Sequence, residues 1–146
     1  TTDIITLTAT ASITSAAHAG RTLLMGEVGG DAAATFTLPA ATGTGSIFKF
    51  VVSVVNTSNY LVKVADATDT IDGQIMITDA DGTAATSFVT AATSDTITLN
   101  GSTSGGGAIG DYVELIDIAS NQYAVSGMVT CAAGSNIATM FSATVS

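Results

Sequence analysis

The chain contains few of the side chains on which most enzymes and nucleic-acid-binding proteins depend. Its 146 residues include one His, one Cys, no Trp and three basic residues, Arg21, Lys49 and Lys63. A nucleophile needs a neighbouring base and a metal site needs several ligands, which a lone His18 and a lone Cys131 do not supply. DNA or RNA binding needs clustered Lys and Arg. The composition therefore disfavours an enzyme, predicts no cofactor and argues against a nucleic-acid partner.

Charge is scarce, and what there is of it is mostly negative. Charged residues make up 10% of the chain and the net charge is −9, whereas about 25% charged residues is typical. The mean hydropathy is +0.52. The longest apolar run, Phe50 to Val55, contains Ser53 and is far shorter than the ~18 residues of a membrane helix. We therefore expect no membrane partner, and we expect a homo-oligomer that buries the excess apolar surface.

The N-terminal sequence TTDIITLTATAS has neither the basic nor the apolar region of a secretory signal. The lone Cys131 has no partner for a disulfide within the chain. Both features predict synthesis in the cytoplasm.

Apolar and polar residues alternate with a period of two along most of the chain, which is typical of β-strands. In the segment 5–13, Ile, Leu and Ala alternate with Thr and Ser, so one face is apolar and the other carries hydroxyl groups. No segment of helical length has apolar residues at helical spacing. Roughly eight to ten short strands separated by turns predict an all-β, single-domain fold, either a β-sandwich or a jelly-roll-like barrel.

Turn residues predict how these strands are joined. Asp81-Gly82 favours a hairpin, and Asp72-Gly73 fits another position with positive φ. The sequence contains no repeat of fixed period, which argues against a solenoid or propeller. Three pairs of strands are predicted to be antiparallel neighbours: 47–55 with 60–64, 74–78 with 86–91, and 111–118 with 122–130.

Two segments are predicted to have special roles. Residues 1–17 are Thr-rich and lack Gly and Pro, and they could form an extended N-terminal arm that adds a strand to a neighbouring subunit. The β domain would then span 18–146. The Gly-rich sequence NGSTSGGGAIG, residues 100–110, has little to bury and is predicted to be a mobile or outward-facing loop.

Acidic residues are the remaining candidates for a chemical site. Calcium binding by the Asp cluster at 66–81 is disfavoured, because an EF-hand would need Asp or Asn where Thr83 stands and a distal Glu. Extended chain would also point neighbouring acids to opposite faces. Glu114 and Asp117 form no evident acid–base pair. The cluster, which we interpret as turn residues and ends of strands, consists of Asp66, Asp69, Asp72, Asp79 and Asp81.

Four stretches resemble a known group of proteins: HAGRTLLM, FTLPAATGTGSIFKFVV, the hairpin DYVELIDIASNQYAVSG and the tail FSATVS. Together they are similar to capsid decoration (cement) proteins of tailed bacteriophages and cyanophages. The resemblance covers most of the chain from His18 onward, and the LPAATGTG segment is its most distinctive part, although similar segments occur in tail-fibre and other virion proteins. It implies a β-rich subunit, commonly trimeric, that binds the outside of a capsid.

The resulting expectation is a virion structural protein that binds the major capsid protein on the head exterior and stabilises the lattice. The alternative is a receptor- or glycan-binding module of a tail or head fibre, in which Tyr60, Tyr112 and Tyr123 would have to contact the sugar. A trimer is the first oligomer expected. Contacts with the lattice or with other subunits are predicted for six residues: Ile5, Leu7, Ile13, Arg21, Phe48 and Phe50.

Overall fold

A computed structural model describes residues 3–133 and 136–145. These residues form a short helix, α1 (Ser15–His18), and are otherwise nearly all β or irregular, as the period-two pattern predicted. In chain order the strands are β1 (Ile4–Leu7), β2 (Ala11–Ser12), β3 (Thr22–Met25), β4 (Ala34–Thr37), β5 (Ile47–Val52), β6 (Tyr60–Lys63), β7 (Thr70–Asp79), β8 (Ala85–Val89), β9 (Thr96–Leu99), β10 (Tyr112–Ala119), β11 (Gln122–Cys131) and β12 (Phe141–Ser142).

The strands form two mixed sheets that pack face to face as a sandwich. Sheet A has seven strands in the order β1-β3-β5-β10-β11-β7-β8, and sheet B has five in the order β12-β9-β6-β4-β2. The predicted single-domain sandwich is thus confirmed, and no closed barrel is formed by the part of the chain that the structure describes.

The chain crosses from one sheet to the other after each of its first five strands. As a result β1, β3 and β5 are parallel neighbours in sheet A, and β2, β4 and β6 are parallel neighbours in sheet B. This winding is like that of a short solenoid, which the sequence argued against. Because β1, β3 and β5 begin at residues 4, 22 and 47, the turns differ in length and leave no fixed period to detect.

The predicted antiparallel return from 47–55 to 60–64 is wrong, because β5 lies in sheet A and β6 in sheet B. Asn56 is fully buried and fixes this crossing. Its side-chain amide donates to Ala32 O at 2.8 Å, and its Oδ1 accepts from Ser58 N at 2.8 Å. Each strand has a buried face, and these two faces cover the same interior from opposite sheets. The alternation of side chains looks the same in this arrangement and in a hairpin, so it does not distinguish the two.

The other two predicted strand pairs are confirmed. β7 pairs antiparallel with β8 around the turn at Asp81-Gly82, where Gly82 has φ +70°. β10 pairs antiparallel with β11, and Asn121 in the connection has φ +64°. Gly73 has the expected positive φ but lies within β7, where a Cβ would stand 2.1 Å from Val125 O.

The sandwich interior is built around stacked aromatic rings. The ring centroid of Phe36 lies 5.8 Å from that of Phe50 and 6.1 Å from that of Tyr60. The Tyr60 hydroxyl accepts from Glu27 N at 3.0 Å and lies 2.8 Å from Val54 O, so burying this residue leaves its polar atom satisfied. Burial of each such side chain contributes about 1.5–3 kcal/mol, and this core holds the two sheets together.

Residues 3–17, the described part of the predicted arm, belong to the sandwich in this structure. β1 pairs with β3 of the same chain and β2 with β4, while Leu7 and Ile13 are buried in the common interior. The helix α1 begins after Thr14, whose Oγ1 accepts from Ala17 N at 3.2 Å. Contact between this segment and a neighbouring subunit stays a prediction. No helix in the described ranges is long and apolar enough to cross a membrane.

Candidate interaction surface

The outer face of sheet A, which points away from sheet B, carries a continuous row of apolar side chains. Adjacent strands place these residues directly opposite one another, so each contacts the next across the sheet. Met128 and Met76 are 52% and 46% exposed although both are large and apolar. We call this set the outer row; it consists of Leu24, Val51, Tyr112, Met128 and Met76.

A shallow groove of about 390 Å³ lies at one end of the outer row. Met76 and Met128 form its floor, and Ile109, which is 75% exposed, stands beside them on the loop before β10. Methionine side chains are flexible and polarisable, so the shape of this groove is adaptable. The groove and the outer row share Tyr112, Met128 and Met76 and form one exposed, largely apolar surface.

A second groove, of about 290 Å³, contains two of the three basic residues of the chain, Arg21 and Lys49. The Arg21 guanidinium donates to Ala17 O at 2.9 Å, which fixes it against α1. The Lys49 ammonium lies 4.8 Å from the centroid of the Tyr112 ring, and Lys49 is directly opposite Glu114 on β10. These cations are therefore held in place beside the outer row.

The six residues predicted to make contacts do not form one surface. Phe48 and Phe50 are fully buried, and Leu7 and Ile13 are buried as well. Ile5 is half-buried and packs against the same core. Of the six, Arg21 lines a groove on the outer face of sheet A. Contact by these residues with a partner stays a prediction, but the buried ones now stabilise the chain itself.

The sequence did not single out the outer row. The four methionines are scattered along the sequence and have different surroundings: Met25 and Met140 are buried, whereas Met76 and Met128 are exposed. A usable signal was present in β7 and β11, where one Met interrupts an otherwise polar or small-residue face of each strand. One of the two faces of such a strand must lie outside a two-layer sandwich.

Structural contacts account for His18 and Cys131, and Glu114 and Asp117 lie on opposite faces of β10. His18 Nδ1 lies 2.9 Å from Thr14 N and helps to close α1. Burial raises the pKa of the Cys131 thiol, which keeps it protonated and unreactive. Glu114 is on the outer face, whereas Asp117 is buried beneath the opposite face. Among the described residues, no group of three or more His, Cys, Asp and Glu is placed to hold a metal ion.

The LPAATGTG segment, which carried the resemblance, is a loop fastened to β10 by one carboxylate. Asp117 accepts hydrogen bonds from Thr42 N at 3.1 Å, Gly43 N at 2.6 Å and Thr44 Oγ1 at 2.8 Å. Burial by itself would raise the pKa of Asp117, but these hydrogen bonds outweigh it and the pKa is lowered. The loop conformation therefore depends on an ionised Asp117.

A second buried carboxylate lies under the same loop. Asp69 Oδ2 accepts from Ala41 N at 3.1 Å, while its Oδ1 is buried without a hydrogen-bond partner among the described residues. Burial raises the pKa of Asp69, and the nearby charges of Asp66 and Asp117 raise it further. Tyr123 donates to Pro39 O at 2.6 Å and completes the attachment of the loop. These contacts fasten the loop to the sandwich.

Most of the Gly-rich loop at 100–110 packs against the sandwich, so the prediction of an outward-facing loop is wrong for this part, whereas Ile109 and Gly110 at its end are exposed. Ser104, Gly105 and Gly106 are buried, and the Ser104 hydroxyl donates to Thr98 O at 2.7 Å. Asp111 accepts from Gly106 N at 3.0 Å and from Thr130 N at 2.7 Å. The glycines lack side chains, and this allows the loop to lie directly against β9 and β11.

Comparison of the chain with protein-family models, curated proteins and solved structures gives no match.

Proposed function

We propose that this chain is a capsid decoration protein of a tailed phage, which binds the major capsid protein on the outside of the head and stabilises the lattice. The observation that carries the proposal is the outer face of sheet A. It presents an apolar row with a groove at one end and two fixed cations beside it. A face of this kind is suited to adhesion to another protein.

The chemistry of the face supports attachment by apolar burial rather than by ion pairs. The chain has three basic residues in all, and two of them flank the outer row as Arg21 and Lys49. The net charge of −9 favours solubility of the unbound chain. Binding to a capsid would bury the row, with the two cations available to acidic groups on the capsid surface.

The alternative, a glycan-binding module of a fibre, has less support. Sugar-binding sites use exposed aromatic rings, and the chain has no Trp. Of its three Tyr residues, Tyr60 and Tyr123 are buried in the sandwich and their hydroxyl groups contact backbone carbonyls. Tyr112 is half-buried, and its ring is paired with Lys49.

The test is binding to heads of the phage that encodes the chain, prepared from a strain in which its gene is deleted. Purified protein is added, and bound protein is measured by co-sedimentation and by cryo-electron microscopy of the heads. We expect Met128→Lys to weaken binding at least tenfold, since it places a charge between Tyr112 and Met76 in the apolar row. Val28→Lys is the matched control, because Val28 is 73% exposed and lies outside the row.

Equal binding by wild type and Met128→Lys would exclude the outer row as the contact. Density on the tail instead of the head would favour the fibre alternative. Circular dichroism of each variant verifies that the sandwich is intact, since Met128 is half exposed and its substitution removes little core packing.

A further inference from the structure

The two sheets formed by the described residues have four edge strands, and these differ in how they are protected from pairing with another chain. β2 and β12 have two residues each, which is too short for an effective template. β1 has four residues and follows Asp3, which is 78% exposed and lies 3.9 Å from Arg21. β8 has five residues and is the longest of the four.

β8 also lacks charge. The sequence from Gly82 to Ser94 contains no Asp, Glu, Lys or Arg and no Pro, in a chain whose net charge is −9. Charged side chains, Pro and bulges are the usual means by which edge strands avoid pairing. The residues of β8 are instead Ala, Thr, Ser, Phe and Val, most of which favour β structure. This edge therefore carries none of the usual protection.

The backbone of β8 has free hydrogen-bonding groups on its outer side. In an antiparallel ladder, alternate residues bond to the partner strand and the others point away from it. Thr90 N donates to Gly73 O and Asp79 N donates to Ala84 O, so the even-numbered residues of β8 face β7. The N–H and C=O groups of Ala85, Ser87 and Val89 consequently point outward.

We propose that β8 is a self-association edge, on which β8 of a second copy adds antiparallel around a two-fold axis at Ser87. The three outward-pointing residues are spaced symmetrically about Ser87, so both copies offer the same donors and acceptors in the required order. The two copies of sheet A would then join into one continuous sheet. The contact does not depend on binding to a capsid, and it is two-fold, unlike the trimer expected from the resemblance.

This pairing covers side chains that the monomer leaves exposed. Val89 is 70% exposed and would lie opposite Ala85 of the second copy on the outer face. Phe88 is partly buried against the core and would lie opposite Thr86 of the second copy on the inner face. Antiparallel pairing also sends the acidic turn at Asp81 of each copy to opposite ends of the shared ladder, so these charges do not face each other.

The experiment measures the mass of the full chain by analytical ultracentrifugation over a dilution series. We expect wild type to dimerise and Val89→Lys to raise the dissociation constant at least tenfold. Val28→Lys adds the same charge at a site of matched exposure, 73% against 70%, and should dimerise as wild type does. Ser87→Pro removes an outward N–H without breaking a bond to β7 and should likewise weaken the dimer.

Hydrogen exchange gives a second readout. In the dimer, the amides of Ala85, Ser87 and Val89 should exchange at least tenfold more slowly than in Val89→Lys, while the amides facing β7 stay protected in both. A wild type that remains monomeric throughout the series would overturn the proposal. So would a dimer or trimer whose dissociation constant is the same in wild type, Val89→Lys and Ser87→Pro. Loss of head binding by Met128→Lys tests the capsid proposal separately, so the two can fail independently.

Discussion

A buried aspartate at each end of β10 holds a glycine-containing loop in place. The pKa values of these two aspartates are shifted in opposite directions. Asp117 near the end of β10 holds the loop at 38–45, and Asp111 just before β10 holds the loop at 100–110. The pKa of Asp117 is lowered because its hydrogen bonds outweigh burial, whereas that of Asp111 is raised because burial outweighs its hydrogen bonds. Similar contacts therefore favour the charged form of Asp117 in the loop at 38–45. In the loop at 100–110 they do not fully offset the cost of burying the charge of Asp111.

The loops also differ in how they use glycine, and this difference gives the largest expected effect. A Cβ at Gly105 would lie 2.5 Å from Val129 Cγ2 at φ +106°, whereas a Cβ at Gly45 would meet nothing within 4 Å at φ +76°. We expect Gly105→Ala to lower the free energy of unfolding by about 3 kcal/mol, from backbone strain and overpacking together. Gly45→Ala should cost about 1 kcal/mol, from backbone strain alone. Urea unfolding measures both, and equal costs would contradict the packed position of Gly105.

Replacing each aspartate by asparagine shows how much its charge contributes to the free energy of unfolding. We expect Asp117→Asn to lower the free energy of unfolding at pH 7 by about 2–3 kcal/mol, because an amide group replaces a carboxylate that accepts from three donors. Asp111→Asn should cost about 1 kcal/mol or less, because the lost hydrogen bonds are offset by relief of the buried charge. Chemical unfolding of both variants checks the order, and a costlier Asp111→Asn would reverse our interpretation.

The two aspartates should contribute to the pH dependence of the free energy of unfolding with opposite signs. Asp117 has a pKa below its ordinary value of 3.8, so its contribution to stability is present above that value and is lost as the pH falls below it. Asp111 has a pKa above 3.8, so the folded state binds its proton more tightly and is favoured as the pH falls towards 3.8. We therefore expect the stability gap between wild type and Asp117→Asn to shrink below pH 3.8.

In the same titration, the gap between wild type and Asp111→Asn should grow in favour of wild type as the pH falls towards 3.8 from above. The measurement is the free energy of unfolding in urea at a series of pH values. Parallel curves for wild type and both variants would show that neither carboxylate contributes to the pH dependence.

Effects of about the size expected for Asp111→Asn come from the hydroxyl groups that contact the two aspartates. Thr44 Oγ1 donates to Asp117 at 2.8 Å, and Thr130 Oγ1 donates to Asp111 at 2.9 Å. We expect Thr44→Val and Thr130→Val each to cost about 1 kcal/mol, with the larger cost for Thr130, which is less exposed. Thermal unfolding of the two variants side by side measures the difference. Equal melting temperatures for both variants and wild type would contradict these two contacts.

Much of the secondary structure could be predicted from the sequence because alternation of apolar and polar residues reports directly on strands. The strand pairs β7–β8 and β10–β11 are confirmed as the alternation and the turn residues predict. The return from β5 to β6 was predicted wrongly because a turn sequence does not say whether the next strand joins the same sheet. That choice depends on Asn56, which contacts residues far along the chain.

The candidate interaction surface was less accessible to sequence reasoning. Phe48 and Phe50 were expected to contact a partner, yet they face the core. Val51, the residue after Phe50, belongs to the outer row instead. In an apolar strand such as β5 the pattern shows two faces without showing which one the second sheet covers. The same limit applies to the Gly-rich loop at 100–110, since its composition resembles a linker and its burial depends on Leu99 and Val129.

The sequence by itself determined that this protein is all-β, short of charge and nearly without His, Cys and basic residues, because these properties follow from composition and local periodicity. Tertiary structure alone decided which strands share a sheet, that Asp111 and Asp117 fasten loops, and that Met76 and Met128 remain exposed beside each other while Met25 is buried. The physical reason is that each of these outcomes depends on contacts between residues distant in the chain, which no local pattern encodes.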